Sequence, residues 1–280
     1  MPKYKKEIDI EKAIELYKQY GNINKVSKIL NCNSTTLQRR FHDYGVNVKK
    51  SKYKGFDEEF FHNIDTEEKA YFFGLLMADG NNFTKSYRIV LSLADYDVKI
   101  VEKFRDAINS NYPIRLNKSN TKDYPNRHDR KYLQINSKIM SNRLEEIGCM
   151  NNKSLIIKFP KDIIPNTLMH HFIRGVFDGD GSISTCKNKK TPNYEYHIFN
   201  ITGNTPFLLD IQEELIKNCK VNKTKLNSPK RYKNGTSMLC YGGSGNIEKI
   251  RSWLYKDATV YIERKYEKFF SINTKKNKHI

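Results

Sequence analysis

Apolar residues recur at helical spacing near the start of the chain, and strand-like and helical segments alternate further along. Ile10, Ala13, Ile14 and Tyr17 share one helical face, and two more short helices are predicted, the third with Ser34 as its N-cap. Beyond this region, strands are predicted at residues 87–93, 112–117, 132–135, 194–202, 223–226 and 238–241, and helices at 95–108, 139–147, 206–217 and 247–255. The pattern predicts an α+β chain preceded by a small all-helical unit.

Two apolar runs have the same arrangement of small residues. Residues 71–80 read YFFGLLMADG and residues 172–181 read FIRGVFDGDG. Small residues lie four apart in each run, Gly74 and Ala78 in the first and Gly175 and Gly179 in the second. Residues four apart share a helix face, so these positions leave room for a second backbone. We expect them to form the interface of a helix pair, and we expect the final glycine of each run to adopt a left-handed conformation at the helix end.

An aspartate precedes the final glycine of both runs. Asp79 and Asp180 are each expected at a helix C-terminus, where the partial negative charge of the helix favours cations instead. If the helices pair, the two carboxylates approach and repel each other unless a proton or a metal compensates. A single Asp-Gly pair would indicate only a turn, but two matched copies indicate a divalent cation. Mg²⁺ is the best fit, with Mn²⁺ as a substitute.

The two runs resemble the signature of the LAGLIDADG homing endonucleases, and the resemblance covers residues 56–272. It implies two αββαββα repeats in a pseudo-two-fold pair, with a β-saddle and a central pair of motif helices. It also implies Mg²⁺-dependent double-strand cleavage of DNA, with the backbone carbonyls of Ala78 and Gly179 completing the metal shells. Matched lysines, Lys153 and Lys265, stand where the family often carries a catalytic lysine. Met77 departs from the family pattern, because it replaces the inner aspartate of the first motif.

The formal net charge of +19 indicates a polyanionic partner, although excess lysine also suits a merely solvated surface. Candidate DNA contacts lie on the third helix, which with the second would form a helix-turn-helix, and in a basic segment of each repeat. They are Ser34, Thr35, Thr36, Gln38, Arg39, Arg40, Arg115, Lys118, Arg127, Arg130, Lys223, Lys225, Lys230, Arg231 and Lys233. Because the repeats differ in sequence, we expect a monomer that reads a long, asymmetric duplex.

Several classes of protein do not fit the sequence. The 5 cysteines show no zinc-ligand spacing and suit a reducing compartment. We find no signal peptide and no apolar run long enough to span a membrane. The chain lacks the terminal residues of a self-splicing intein, so we expect a free-standing protein. A cytoplasmic, nucleoid-associated location and a phage or organelle gene are expected.

The expected organisation has four parts: a helix-turn-helix at 1–48, a basic linker at 49–60, a first repeat at 61–160 and a second at 161–280. The predicted function is a site-specific, homing-type DNA endonuclease. Two alternatives remain open at this point. One is a maturase that binds intron RNA, and the other is a transcription regulator that binds DNA without cutting it.

Overall fold

The computed structural model describes residues 8–20, 23–46, 48, 55–119, 128–151, 157–187, 195–228 and 235–272. Contacts divide the chain into two units, Met1–Lys54 and Gly55–Ile280. The expected linker at 49–60 is therefore too long at its C-terminal end. Phe60 is buried in the core of the larger unit, and the Phe56 ring packs edge-on against Tyr112, because apolar side chains this large are stabilised by burial.

The smaller unit contains three helices, which confirms the helical pattern predicted there. They are α1 (Ile10–Tyr20), α2 (Ile23–Ile29) and α3 (Ser34–Asp43). Their core includes Tyr17 and Phe41, whose ring centroids lie 5.4 Å apart. The predicted N-cap of α3 is wrong by one residue. Asn33 has extended backbone angles and its side chain accepts a hydrogen bond from the Thr35 amide, so Ser34 is already helical.

The first half of the larger unit has the expected order of helices and strands. Its elements are α4 (Glu67–Asp79), β1 (Gly80–Phe83), β2 (Arg88–Ala94), α5 (Val98–Ala107), β3 (Arg115–Asn117), β4 (Arg130–Asn136) and α6 (Lys138–Glu146). The Thr66 side chain accepts from the Lys69 amide and caps the start of α4. A strand thus follows the first motif helix without any intervening loop.

The second half repeats this order with one strand fewer among the described residues. Its elements are α7 (Met169–Asp180), β5 (Gly181–Lys187), β6 (Glu195–Asn204), α8 (Thr205–Cys219), β7 (Thr236–Gly242), α9 (Ser244–Leu254) and α10 (Glu263–Ser271). The strand predicted at 223–226 is not formed. Instead, Asn227 makes a single bridge to Met238 of β7. Strand β5 and helix α10, like strand β1 of the first half, were not located from the sequence.

All strand pairs are antiparallel, in the order β1-β2-β4-β3 in the first sheet and β5-β6-β7 in the second. Residues of β2 and β7 alternate between buried and partly exposed, so each sheet buries one face. The buried faces and the helices of the larger unit share one continuous apolar core. The architecture is the predicted α+β class.

Candidate functional site

Helices α4 and α7 cross at their glycines. A Cβ atom on Gly74 would lie 2.1 Å from the carbonyl oxygen of Phe172, and one on Gly175 would lie 2.1 Å from that of Tyr71. A Cβ on Gly179 would lie 2.3 Å from the Cβ of Ala78. No larger side chain fits at these contacts, so the four small residues allow the two helix backbones to touch.

The glycines that end the two helices are not left-handed, and that expectation was wrong. Gly80 has φ −84° and Gly181 has φ −105°, both extended, because each begins a strand directly. A Cβ on Gly80 would lie 2.7 Å from the Leu76 carbonyl oxygen, and one on Gly181 would lie 2.7 Å from that of Phe177. The sharp change from helix to strand therefore requires glycine for space and not for a positive φ.

Asp79 and Asp180 are the last residues of the two crossing helices. A Cβ on Gly179 would lie 3.3 Å from Asp79 Oδ2, so the end of α7 lies against the carboxylate of α4. The Asp79 side chain is partly exposed and Asp180 is exposed, which leaves both accessible to a ligand. The structure thus ends two touching helices with an aspartate each, and these ends carry the partial negative charges of both helices.

This donor set fits a hard divalent cation. Among the residues that the structure describes, no three His, Cys, Asp or Glu side chains are grouped so that they could hold a metal ion by themselves. A site with few carboxylates is typical of Mg²⁺, which retains water and takes the remaining ligands from phosphate oxygens. The carbonyls of Ala78 and Gly179 lie one residue before the two aspartates and are the backbone groups suited to complete it.

Arg130 lies beside Asp79, which the sequence did not reveal. Its Nη2 is 3.9 Å from Asp79 Oδ1, and its Nε donates to Ser92 Oγ over 3.0 Å. Arg130 begins β4 and pairs with Ala94 at the end of β2. By register its counterpart in the second sheet is Thr236, which pairs with Asn204. The Asp79 carboxylate thus has Arg130 beside it, whereas the position of the second sheet that is equivalent to Arg130 carries the hydroxyl of Thr236.

Lys265 contacts the backbone at the end of α7. Its Nζ donates to the carbonyls of Phe177, Asp178 and Gly181 over 2.9, 2.6 and 2.7 Å. Burial lowers the pKa of its ammonium group, while the nearby Asp178 opposes that change. All three donors of the ammonium are therefore directed to backbone oxygens near Asp180. Lys153, the lysine predicted at the matching position of the first repeat, lies outside the described residues.

The inner aspartate of the second motif is fully buried. Asp178 Oδ2 accepts from the Tyr71 hydroxyl over 2.7 Å and from the Ile262 amide over 2.8 Å, while Oδ1 has no hydrogen-bond partner among the described residues. Burial raises the pKa of this carboxyl, and the charge of Lys265 opposes the rise. Asp178 joins both motif helices to the start of α10, and it is not exposed to a ligand.

A second buried polar group, Arg174, connects the two motif helices at the end opposite to the aspartates. Arg174 is completely buried and donates to Glu67 over 2.6 Å and to the carbonyls of Val260 and Leu254. Burial would raise the pKa of Glu67, but the amides of Thr259 and Val260 outweigh it and hold that pKa below its usual value. An arginine within an apolar helical run was the sequence signal for this contact.

The described DNA-contact candidates lie on the surface. On α3, Ser34 is half-buried and Thr35, Thr36, Gln38, Arg39 and Arg40 are exposed. Arg115, Lys118, Lys223 and Lys225 are exposed in the larger unit. Arg127, Lys230, Arg231 and Lys233 lie outside the described residues. In the described part of the chain, no helix is long and apolar enough to cross a membrane.

No family model and no curated protein matches the sequence. Solved structures do match. The I-LtrWI LAGLIDADG homing endonuclease bound to target DNA has a TM-score of 0.50 and 12% identity over 73% of this chain and 89% of that chain. I-GzeII in complex with its DNA target has a TM-score of 0.48 and 13% identity over 72% and 87%. I-SmaMI bound to uncleaved DNA in the presence of calcium ions has a TM-score of 0.48 and 12% identity over 72% and 89%.

The chain therefore has the fold of the single-chain LAGLIDADG homing endonucleases. The two motif helices, α4 and α7, are the crossing pair at its centre, as the resemblance in the sequence predicted.

Proposed function

We propose that this protein is a site-specific DNA endonuclease of the homing type that requires Mg²⁺. The observation that carries the proposal is the pair Asp79 and Asp180, which end two crossing helices that touch and directly precede the first strand of each sheet. Two carboxylates at such a point suit a metal that also contacts a phosphate. The net charge of +19 supports a polyanionic substrate.

The residues of such a site would have separate roles in metal binding and in DNA binding. Asp79 and Asp180 would hold the metal, with the carbonyls of Ala78 and Gly179. A bound Mg²⁺ supplies charge neutralisation at the scissile phosphate and acidifies water for attack on it. Mn²⁺ would replace it because it accepts the same oxygen ligands. Duplex DNA would lie along the exposed faces of the two sheets, positioned by the basic residues of both halves.

The two lysines take different roles in this proposal. Lys265 is a positioning residue, because its ammonium group holds three carbonyls at the end of α7 and so fixes where Asp180 lies. Lys153 is the candidate for direct contact with the phosphate. The residues of α3 would extend the contact with DNA as part of a helix-turn-helix. The protein would act as a monomer, because one chain carries both motif helices.

The test uses the full chain and a randomised library of duplex DNA, with wild type and the variant Asp79→Asn/Asp180→Asn in Mg²⁺ and in Ca²⁺. We expect double-strand cuts at one long motif in Mg²⁺ with wild type only. Asp162→Asn is the matched control, because Asp162 is an exposed aspartate that belongs to neither motif helix, and it should cut normally.

Other results would overturn the nuclease. Sequence-specific binding without any cut by wild type would identify a DNA-binding regulator. Preference for structured intron RNA over every duplex would identify a maturase.

A further inference from the structure

A short segment of the second half, residues 259–265, lies against the first half and runs into the first turn of α10. Near its start, the amide of Thr259 donates a hydrogen bond to Glu67 of α4 over 2.7 Å. Near its end, Arg264 donates to Asp97, the residue that directly precedes α5. The first half therefore contacts both ends of this segment.

The contact between Arg264 and Asp97 uses both oxygens of the carboxylate. Arg264 Nε donates to Asp97 Oδ1 over 2.9 Å, and its Nη2 donates to Oδ2 over 2.7 Å. The Asp97 side chain is buried, and the guanidinium also lies 5.0 Å from the centre of the Tyr96 ring. Such a pairing fixes the orientation of the guanidinium in addition to its charge interaction. Arg264 is thus held by two neighbouring residues of the first half.

The next residue along α10, Lys265, reaches the end of α7. Its ammonium group donates to three backbone carbonyls there, including that of Gly181 over 2.7 Å. Adjacent residues of α10 therefore bind the first half and the backbone beside Asp180. Because consecutive Cα atoms are only about 3.8 Å apart, a displacement of Arg264 would be transmitted directly to Lys265.

The second half holds a segment of the first half from the equivalent position. Asn204 directly precedes α8, as Asp97 precedes α5, and both residues are buried. Asn204 Nδ2 donates to the carbonyl of Ile157 over 3.0 Å, while its Oδ1 accepts from the Phe207 amide in the first turn of α8. Ile157 lies beyond α6, the last helix of the first half. The residue before the central helix of each half therefore binds a segment of the other half.

We infer that Asp97 is a positioning residue for the site at Asp180, in the other half of the protein. Through Arg264 it sets the place of Lys265, and through Lys265 the place of the α7 end that carries Asp180. The geometry of one candidate metal ligand is thus set by the half that carries the other one. The effect on DNA cutting rests on the proposed nuclease, but the effect on the end of α7 does not.

The amides of the glycines that follow the two motif helices report on this effect. The Gly181 amide donates to the Phe177 carbonyl at the end of α7, and the Gly80 amide donates to the Leu76 carbonyl at the end of α4. Lys265 binds the α7 end. The rates of hydrogen exchange of these two amides, measured on the full chain without DNA or metal, therefore compare the two helix ends within one experiment.

Two variants weaken the ion pair in different ways. Asp97→Asn removes the charge of the buried carboxylate, and Arg264→Lys keeps the positive charge but loses the paired geometry. Both should accelerate exchange of the Gly181 amide about 10-fold and leave that of Gly80 unchanged, because the α7 end alone loosens. Lys99→Gln is the matched control, since Lys99 joins α5 to α10 through an exposed ion pair. It should change neither rate.

The second measurement follows each strand of the selected DNA target separately in Mg²⁺. Asp97→Asn should slow the cutting of one strand about 10-fold, since a small misplacement of a catalytic group is enough for such a loss. That strand should be the one that Arg130→Gln leaves unchanged, because Arg130 lies beside Asp79 of the other motif helix.

Equal acceleration at Gly80 and Gly181 would overturn the inference, because it would show that the ion pair only stabilises the whole fold. Unchanged exchange at Gly181 in both variants, or equal slowing of both strands, would overturn it as well. If wild type cuts no DNA, the nuclease is refuted and the exchange rates alone decide this inference.

Discussion

The two motif helices have the same shape but different surroundings. At the crossing they are equivalent, since a Cβ on Gly74 or on Gly175 would meet a carbonyl of the partner at the same 2.1 Å. One turn later they differ. The inner position of α7 is Asp178, which accepts two buried hydrogen bonds, whereas that of α4 is Met77, a buried apolar residue.

This difference shows that two helices can have equivalent backbone packing and still differ in the polar groups that they bury. Close helix packing needs glycine on both sides, because the space is missing on both sides. A buried polar group needs partners, and for α7 they come from α4 and from the segment between Leu254 and α10. Arg174 and Asp178 bind backbone groups of this segment, and Lys265 of α10 donates to carbonyls at the end of α7. In the first half the buried polar side chain next to the motif helix is Asn82 of β1, which donates to the carbonyls of Ser141 and Cys149. The second half thus buries charged groups within its motif helix, whereas the first buries a neutral amide in the strand that follows its motif helix.

The largest effect is expected from Arg174→Met. This change leaves Glu67 largely buried without its ion-pair partner and two carbonyls without a donor, so it should lower the free energy of unfolding by about 3–5 kcal/mol. Urea denaturation of the full chain measures it. Arg105→Met is the control, since Arg105 pairs with its neighbour Asp106 on the surface. A loss below about 1 kcal/mol would show that the buried pair does not hold the helices.

Gly74→Ala and Gly175→Ala should lower the free energy of unfolding equally, because the two glycines occupy equivalent positions in the helix crossing. Each new Cβ meets a carbonyl oxygen and forces the helices apart, at about 3 kcal/mol. Gly245→Ala, in α9, has nothing within 4 Å of its Cβ and should be neutral or stabilising. Denaturation midpoints test this comparison. Clearly unequal losses would mean that the two halves differ at the crossing as well.

Acid should destabilise the second half through His171. Burial lowers the pKa of His171 from 6.5 to about 3, and its Nδ1 contacts Arg174 over 2.8 Å. Because the folded pKa lies below the unfolded one, the stabilisation is complete at neutral pH and is lost as the pH falls below 6.5. From pH 6.5 to pH 5 the loss should be about 2 kcal/mol.

The measurement for His171 is the free energy of unfolding at several pH values. His171→Asn keeps a polar side chain and removes the titration, so its stability should fall less below pH 6.5. His62→Asn is the control, since that side chain is 67% exposed. An unchanged slope in His171→Asn would refute this assignment.

The smallest effect is expected on the two cutting steps of the proposed nuclease. Arg130→Gln removes the guanidinium beside Asp79 and should slow cleavage of one strand about 10-fold, because one charge-assisted contact is lost. Thr236→Ala, at the equivalent position of the second sheet, should leave both strands unchanged. Labelling each strand separately gives the two rates. Equal slowing of both strands would show that Arg130 acts on the whole protein and not on one carboxylate.

The sequence determined the helix pair and most of the elements around it. Spacing of small residues in both motifs is a local signal, and the same is true of the apolar alternation that predicted β2, β6 and β7. Asp79 and Asp180 were also found this way, because an acid at a helix C-terminus is out of place in any fold.

The tertiary structure alone decided which side chains meet. Arg130 comes to Asp79 through strand register, and Lys265 comes to the end of α7 across 84 residues of chain. The extended conformation of Gly80 and Gly181 follows from the strand that begins there, which local preference did not indicate. Such contacts depend on packing and register between distant segments, and no periodicity along a single segment encodes them.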